Sequence, residues 1–174
     1  MQRRLKVLFV CTANSARSQI AEALVRARSD ARIEAGSAGT QPAPRVNPLA
    51  VAVLREYGID ATTARPKTID EVVGAGWDIV ITVCDSARES CPIFPGQPAL
   101  AHWGVADPAA VEGDDATKLK AFREAALVLS RRIDLMLALP MEKLESLALE
   151  SELRRIGAGQ GRERTTPVRA GGVP

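Results

Sequence analysis

The sequence predicts one α/β domain, a doubly wound, four-stranded parallel sheet with helices on both faces, followed by a C-terminal extension. Two observations carry this prediction. Short apolar runs alternate with helical patterns along most of the chain, and such alternation specifies a parallel sheet covered by its crossover helices. The 174 residues, 46% hydrophobic and 25% charged, also suit one domain with a full core.

Strands are expected at residues 5–10, 32–36 and 77–83, where apolar runs end in polar or turn residues, with a weaker fourth at 98–102. After Arg17, "SQIAEALVRAR" sets Ile20 and Leu24 one turn apart among good helix formers. "NPLAVAVLREYG" supplies Asn47 as a cap, Pro48 at the first helical position and Gly58 as a stop. A short helix is expected at 68–73. A long one is expected at 117–139, where Leu119, Phe122, Ala126, Leu129, Ile133 and Met136 recur at spacings of three and four. The domain is expected to occupy residues 1–139. Residues 140–174 follow as a possible helix over 141–156 and a mobile Gly-, Pro- and Arg-rich tail from 157.

Composition narrows the function. No apolar run approaches the ~18 residues of a membrane span. The apolar stretch after "MQRRLK" is about six residues, below the ~7 to 15 of a signal peptide, so a cytoplasmic protein is expected. The formal charge is only +2. Much of the positive excess falls on Arg154, Arg155, Arg162, Arg164 and Arg169, set against Glu163 alone, and nucleic acid is not the expected partner. Three cysteines cannot close a disulfide framework, so their positions must explain them.

Cys11 stands where the first strand meets the first helix, at the sheet edge where doubly wound proteins bind ligands. The connection "CTANSAR" is built of small residues that curl tightly. Backbone N–H groups of Thr12, Ala13, Asn14, Ser15 and Ala16 then face an anion, reinforced by the positive end of the helix. Arg17 adds a planar fork for two oxygens of a tetrahedral oxyanion. These groups are expected to lower the Cys11 thiol pKa, with Ser18 donating to the sulfur. The Gly-Lys pair of a nucleotide-binding loop is missing, which excludes a nucleoside triphosphate as the natural ligand.

Cys-x5-Arg-Ser after the first strand resembles the low-molecular-weight protein tyrosine phosphatase superfamily. "VCTANSARSQIAEA" looks most like its thioredoxin-coupled arsenate reductases, and the likeness continues through "SAGT", "CDSARESCP" and "HWGVADP". It implies arsenate as substrate, thioredoxin as electron donor, Cys84 and Cys91 as second and third redox cysteines, Asp107 as general acid, and no organic cofactor. The polar segment between Cys84 and Cys91 is expected to loop. Ala109 stands where phosphatases of this superfamily carry a tyrosine, which favours a small oxyanion. The likeness would place potassium at Asn14, Glu22 and Ser37 in some members. Lys67 stands where some of those have an acid, so no metal requirement is expected. His102 and Trp103 are read as packing residues. A phosphatase using Cys11, Arg17 and Asp107, and an oxyanion or redox sensor without turnover, are the rival readings.

Overall fold

The computed structural model describes residues 3–159. Four parallel strands, β1 (Leu5–Cys11), β2 (Ile33–Gly39), β3 (Ile79–Thr82) and β4 (Ala99–His102), form one sheet in the order β2-β1-β3-β4. The chain steps from β1 to one neighbour and then returns to the other side. The C-terminal end of β1 therefore lies at the switch point of the sheet. Val7, Leu8, Phe9 and Val10 are fully buried, as a central parallel strand requires, each contributing about 1.5–3 kcal/mol of apolar burial.

The helices follow from local signals. Helix α1 (Arg17–Arg28) starts straight out of the cysteine loop and buries Ile20, Ala21, Leu24 and Val25. Helix α2 (Pro48–Glu56) is capped by Asn47, whose side chain accepts from the Leu49 amide at 2.9 Å. Helix α3 (Ile69–Val72) carries a reciprocal capping box between Thr68 and Glu71. Helix α5 (Asp115–Leu137) begins two residues before its expected start because Asp114 caps it, accepting from the Thr117 amide.

One expectation is corrected. The segment between Cys84 and Cys91 is a helix, α4 (Asp85–Ser90), with Cys84 and Cys91 as its caps. Only Ala87 of its six residues is buried, so no apolar periodicity betrays it in the sequence. Helix α6 (Ser146–Gly157) places Leu149, Leu153 and Ile156 in the same apolar cluster as the sheet. It lies against β4: Trp103 Nε1 donates to the Leu153 carbonyl at 2.9 Å, and Leu100 N donates to Glu150 at 3.1 Å, covering an edge-strand amide. Gly157, the first residue of the stretch expected to be mobile, ends this helix; the rest of that expectation, from residue 160 on, falls outside the described residues. Among the described residues no helix is long and apolar enough to cross a membrane.

Candidate active site

The loop from Cys11 to Arg17 is held from outside. The carbonyls of Cys11, Thr12, Ala13 and Ser15 accept from the amides of Thr40, Gln41, Ala43 and Asn47 at 2.8–3.1 Å, and that of Ala16 accepts from Ile20 at 2.9 Å. In a planar trans peptide the N–H points opposite to the C=O. Oxygens turned outward therefore turn the following amides toward the centre of the loop. The Asn14 amide shows this directly, donating to Cys11 Sγ at 3.1 Å.

Two further features let the loop curl. Asn14 adopts a left-handed conformation, φ 47°, which asparagine tolerates better than most residues. Its side chain offsets the strain: Oδ1 accepts from Gln19 Nε2 at 3.1 Å and from the Lys67 amide at 2.8 Å, and Nδ2 donates to Ser18 Oγ at 2.8 Å. Gly39, paired with Cys11 in the ladder, leaves the necessary room, since a Cβ there would lie 2.4 Å from the Thr12 carbonyl oxygen.

Cys11 is almost fully buried, with Sγ 2.7 Å from Ser18 Oγ. Because Ser18 already accepts from Asn14, its own proton is directed at the sulfur. Burial nevertheless pushes the thiol above its ordinary value, with Ser18 and the Asn14 amide pulling downward and Cys84 adding to the rise. This corrects the expected depression. The sequence displays the donors but not the depth at which the sulfur sits, and burial outweighs them.

Arg17 does not face the sulfur alone. Nη1 donates to the Val105 carbonyl at 2.8 Å and Nη2 lies 3.7 Å from Asp107 Oδ2, so the guanidinium ties the loop after β4 to the anion cradle. Asp107 also caps the short turn Pro108–Ala110, accepting from Ala109 at 3.0 Å, and remains half exposed.

Cys84 is buried, with Sγ 3.4 Å from Thr12 Oγ1 and 3.4 Å from the Ala87 amide that it caps. Cys91, at the other end of α4, is half-buried, and burial pushes its thiol up. It lines a groove of about 1000 Å³ with Phe94, Leu100 and Arg154. The structure thus gathers Cys11, Asn14, Arg17, Ser18, Asp107 and Cys84 around one loop and leaves Cys91 outside it.

Glu22, Ser37 and Lys67 also meet. Lys67 Nζ lies 3.4 Å from Glu22 Oε2 and donates to the Arg65 carbonyl at 3.2 Å. Ser37 Oγ donates to the same carboxylate oxygen, and Arg26 Nη2 is 2.8 Å from Oε1. With two cations already on Glu22, and Asn14 Oδ1 committed to backbone and Gln19, this group does not fit a bound monovalent cation. Sequence reasoning missed Gln19, Gly39 and the Val105 carbonyl as parts of the site. The first two stand inside the quoted "RSQ" and "SAGT"; a backbone carbonyl leaves no sequence signal.

Known proteins carry the same plan. An arsenate reductase of Halalkalibacterium halodurans is 38% identical over 127 residues, 73% of this chain and 91% of that protein. The low molecular weight protein tyrosine phosphatase from T. tengcongensis is 31% identical, with a TM-score of 0.65 over 80% of this chain and 99% of that one. A Corynebacterium glutamicum thioredoxin-dependent arsenate reductase is 32% identical, with a TM-score of 0.55 over 77% of this chain and 64% of that one. Residues 6–148, spanning the sheet, the cysteine loop and the Asp107 turn, match the family described as low molecular weight phosphotyrosine protein phosphatase, and to that family this chain belongs.

Proposed function

We propose that the protein reduces arsenate to arsenite through Cys11, Cys84 and Cys91, with thioredoxin as the electron donor. The observation that carries this reading is the second buried thiol beside the anion loop: Cys84 Sγ, 3.4 Å from Thr12 Oγ1, has no use in phosphate-ester hydrolysis. The relatives named arsenate reductases point the same way.

Arsenate seats on the inward amides of residues 12–17, with two oxygens on the Arg17 fork. Cys11 gives its proton to an oxygen of the arsenate dianion, the resulting thiolate attacks arsenic, and Asp107 protonates the departing hydroxyl, which leaves as water. The Cys84 thiolate then attacks the Cys11 sulfur. The S–As bond breaks with its electron pair going to arsenic, As(V) becomes As(III), and arsenite leaves behind a Cys11–Cys84 disulfide. Cys91 attacks Cys84, and Cys11 departs as a thiolate.

The last step needs movement. The cysteines cap opposite ends of α4, about 10 Å apart at ~1.5 Å per residue. A disulfide requires Cα atoms within about 4.4–6.8 Å. Helix α4 therefore unwinds as Cys84–Cys91 forms, which a six-residue helix with one buried side chain does at small cost. The product opens onto the groove lined by Phe94 and Leu100, where a protein dithiol has room to attack.

Lys67, in this reading, supplies the positive charge beside Glu22 that other members obtain from potassium. The second reading, a phosphatase, draws on the T. tengcongensis likeness and on Cys11, Arg17 and Asp107, which both chemistries share. NADPH oxidation dependent on arsenate, in the presence of thioredoxin and thioredoxin reductase, is the expected activity. Hydrolysis of aryl phosphates without it places the phosphatase first.

A further inference from the structure

We propose that Asp85 and His102 form a clasp that positions Cys84, fixing the first turn of α4 against the ends of β3 and β4. For its effect on turnover the inference rests on the relay described above.

His102 and Thr82 are register partners at the last positions of β4 and β3. His102 Nδ1 lies 2.8 Å from Thr82 Oγ1 and Nε2 lies 2.9 Å from Asp85 Oδ1. In the tautomer with the proton on Nε2, Nε2–H donates to the carboxylate and Nδ1 accepts from the Thr82 hydroxyl, whose longer alternative is the Ala101 carbonyl at 3.5 Å. Asp85 immediately follows Cys84 and is the first residue of α4. Its side chain is 86% exposed, and among the described residues the only side chain holding it is an imidazole that is 21% exposed and anchored on the sheet.

Gly104 supplies an independent sign that the contact is provided for. Its backbone is not in the left-handed region, so conformational freedom does not account for a glycine there. A Cβ at this position would lie 3.1 Å from His102 Nε2, crowding the imidazole end of the bond, and in ordinary contact, 3.8 Å, with Asp85 Oδ1.

A helix this short does not hold its own shape. Within α4 the Arg88 amide donates to the Cys84 carbonyl at 3.1 Å and the Ala87 amide to Cys84 Sγ at 3.4 Å. The clasp adds a tether to the sheet at the Cys84 end alone. The Cys84 sulfur stays beside Thr12, aimed at the Cys11 adduct, and when α4 opens it is the Cys91 end that travels.

The test uses Asp85→Ala, His102→Leu, their double variant and Asp85→Asn, which keeps an oxygen acceptor. In the reduced protein, hydrogen exchange at the Ala87 and Arg88 amides should rise about fivefold in either single variant, the ratio for one hydrogen bond of ordinary net strength. The double variant should add nothing further, and Asp85→Asn should restore most protection. In single turnover with arsenate, formation of Cys11–Cys84 should slow by a similar factor in the single variants, with the rate of Cys11 alkylation by iodoacetamide unchanged. Gly104→Ala should reproduce a weaker version of both effects. Unchanged exchange overturns the clasp. Faster exchange with an unchanged disulfide rate overturns its role in positioning Cys84. A wild type that forms no disulfide at all defeats the relay instead, and the exchange measurement still decides the clasp.

Discussion

The cysteine loop and the α4 segment sit side by side at one sheet edge and are built in opposite ways. In the loop, Asn14 and Ser18 are fully buried, four carbonyls are tied from outside, and Gly39 admits no larger residue. Within α4 a single residue is buried, Ile93 just beyond it is 97% exposed, and a groove opens alongside. Attack on a tetrahedral centre demands donors that do not move, because electrostatic stabilisation works only when it is organised beforehand. Passing a disulfide outward demands the reverse. On the proposed relay, the contrast matches rigidity to the step that each cysteine would serve.

Removing the sulfur from the rigid side should have the largest effect. Cys11→Ser is expected to abolish arsenate reduction and any activity on aryl phosphates, since a neutral hydroxyl is a far poorer nucleophile than a thiolate. Residual reduction at the wild-type rate would break the comparison at its root. On the α4 side, Cys91→Ser should leave the first turnover intact, release about one arsenite per active site and stop with Cys11–Cys84 trapped. The wild type without reductant should instead accumulate Cys84–Cys91, and non-reducing peptide mapping separates the two linkages. Normal turnover of Cys91→Ser with thioredoxin would remove α4 from the mechanism.

Asp107 borders the rigid loop: Arg17 Nη2 lies 3.7 Å from its carboxylate, which stays half exposed. Asp107→Asn keeps the turn cap through its side-chain oxygen and loses only the proton. Single-turnover rates should fall by ~10² to 10⁴ with arsenate binding retained. An unchanged rate would leave Asp107 a turn residue.

The cysteine loop was far more legible in the sequence than helix α4. Cys11, the small residues after it, Arg17 and Ser18 follow a strand-to-helix junction whose spacing states the geometry. Helix α4 hid because its only buried residue is Ala87 and its N-cap is a cysteine, which is not a usual capping residue. The Asp85–His102 bond joins residues on separate elements, and no local pattern announces it. Cys11 itself was misread in direction, because donors can be counted along a chain and burial cannot.

That correction gives the loop a pH signature. With the thiol held above its ordinary value by burial, little of Cys11 is ionised at neutral pH in the free protein. Alkylation of Cys11 should therefore speed up roughly tenfold per pH unit up to a midpoint above the usual thiol range. Bound oxyanion should protect it. A midpoint below that range would mean that the loop donors outweigh burial, as the motif alone suggested.

The smallest effect should come from the support beneath the loop. Lys67 reaches Glu22 with its ammonium and Asn14 with its amide, so the side chain can be altered while the amide bond to the loop remains. In Lys67→Met the buried carboxylate keeps Arg26 and Ser37 but loses the second cation. Losing one partner of a fully buried pair costs about 3–5 kcal/mol. Here a second cation remains and Lys67 is partly exposed, so a loss nearer 1 kcal/mol is expected, which is roughly 2–4 °C in Tm for a chain of this size. If the ammonium stands in for a monovalent cation, the variant should recover part of that loss in potassium chloride but not in choline chloride at equal ionic strength, and its KM for arsenate should follow. The wild type should melt at the same temperature in both salts. Potassium-dependent stability in the wild type, or none in Lys67→Met, would show that Lys67 is an ordinary ion-pair partner and that the loop stands without a cation at this position.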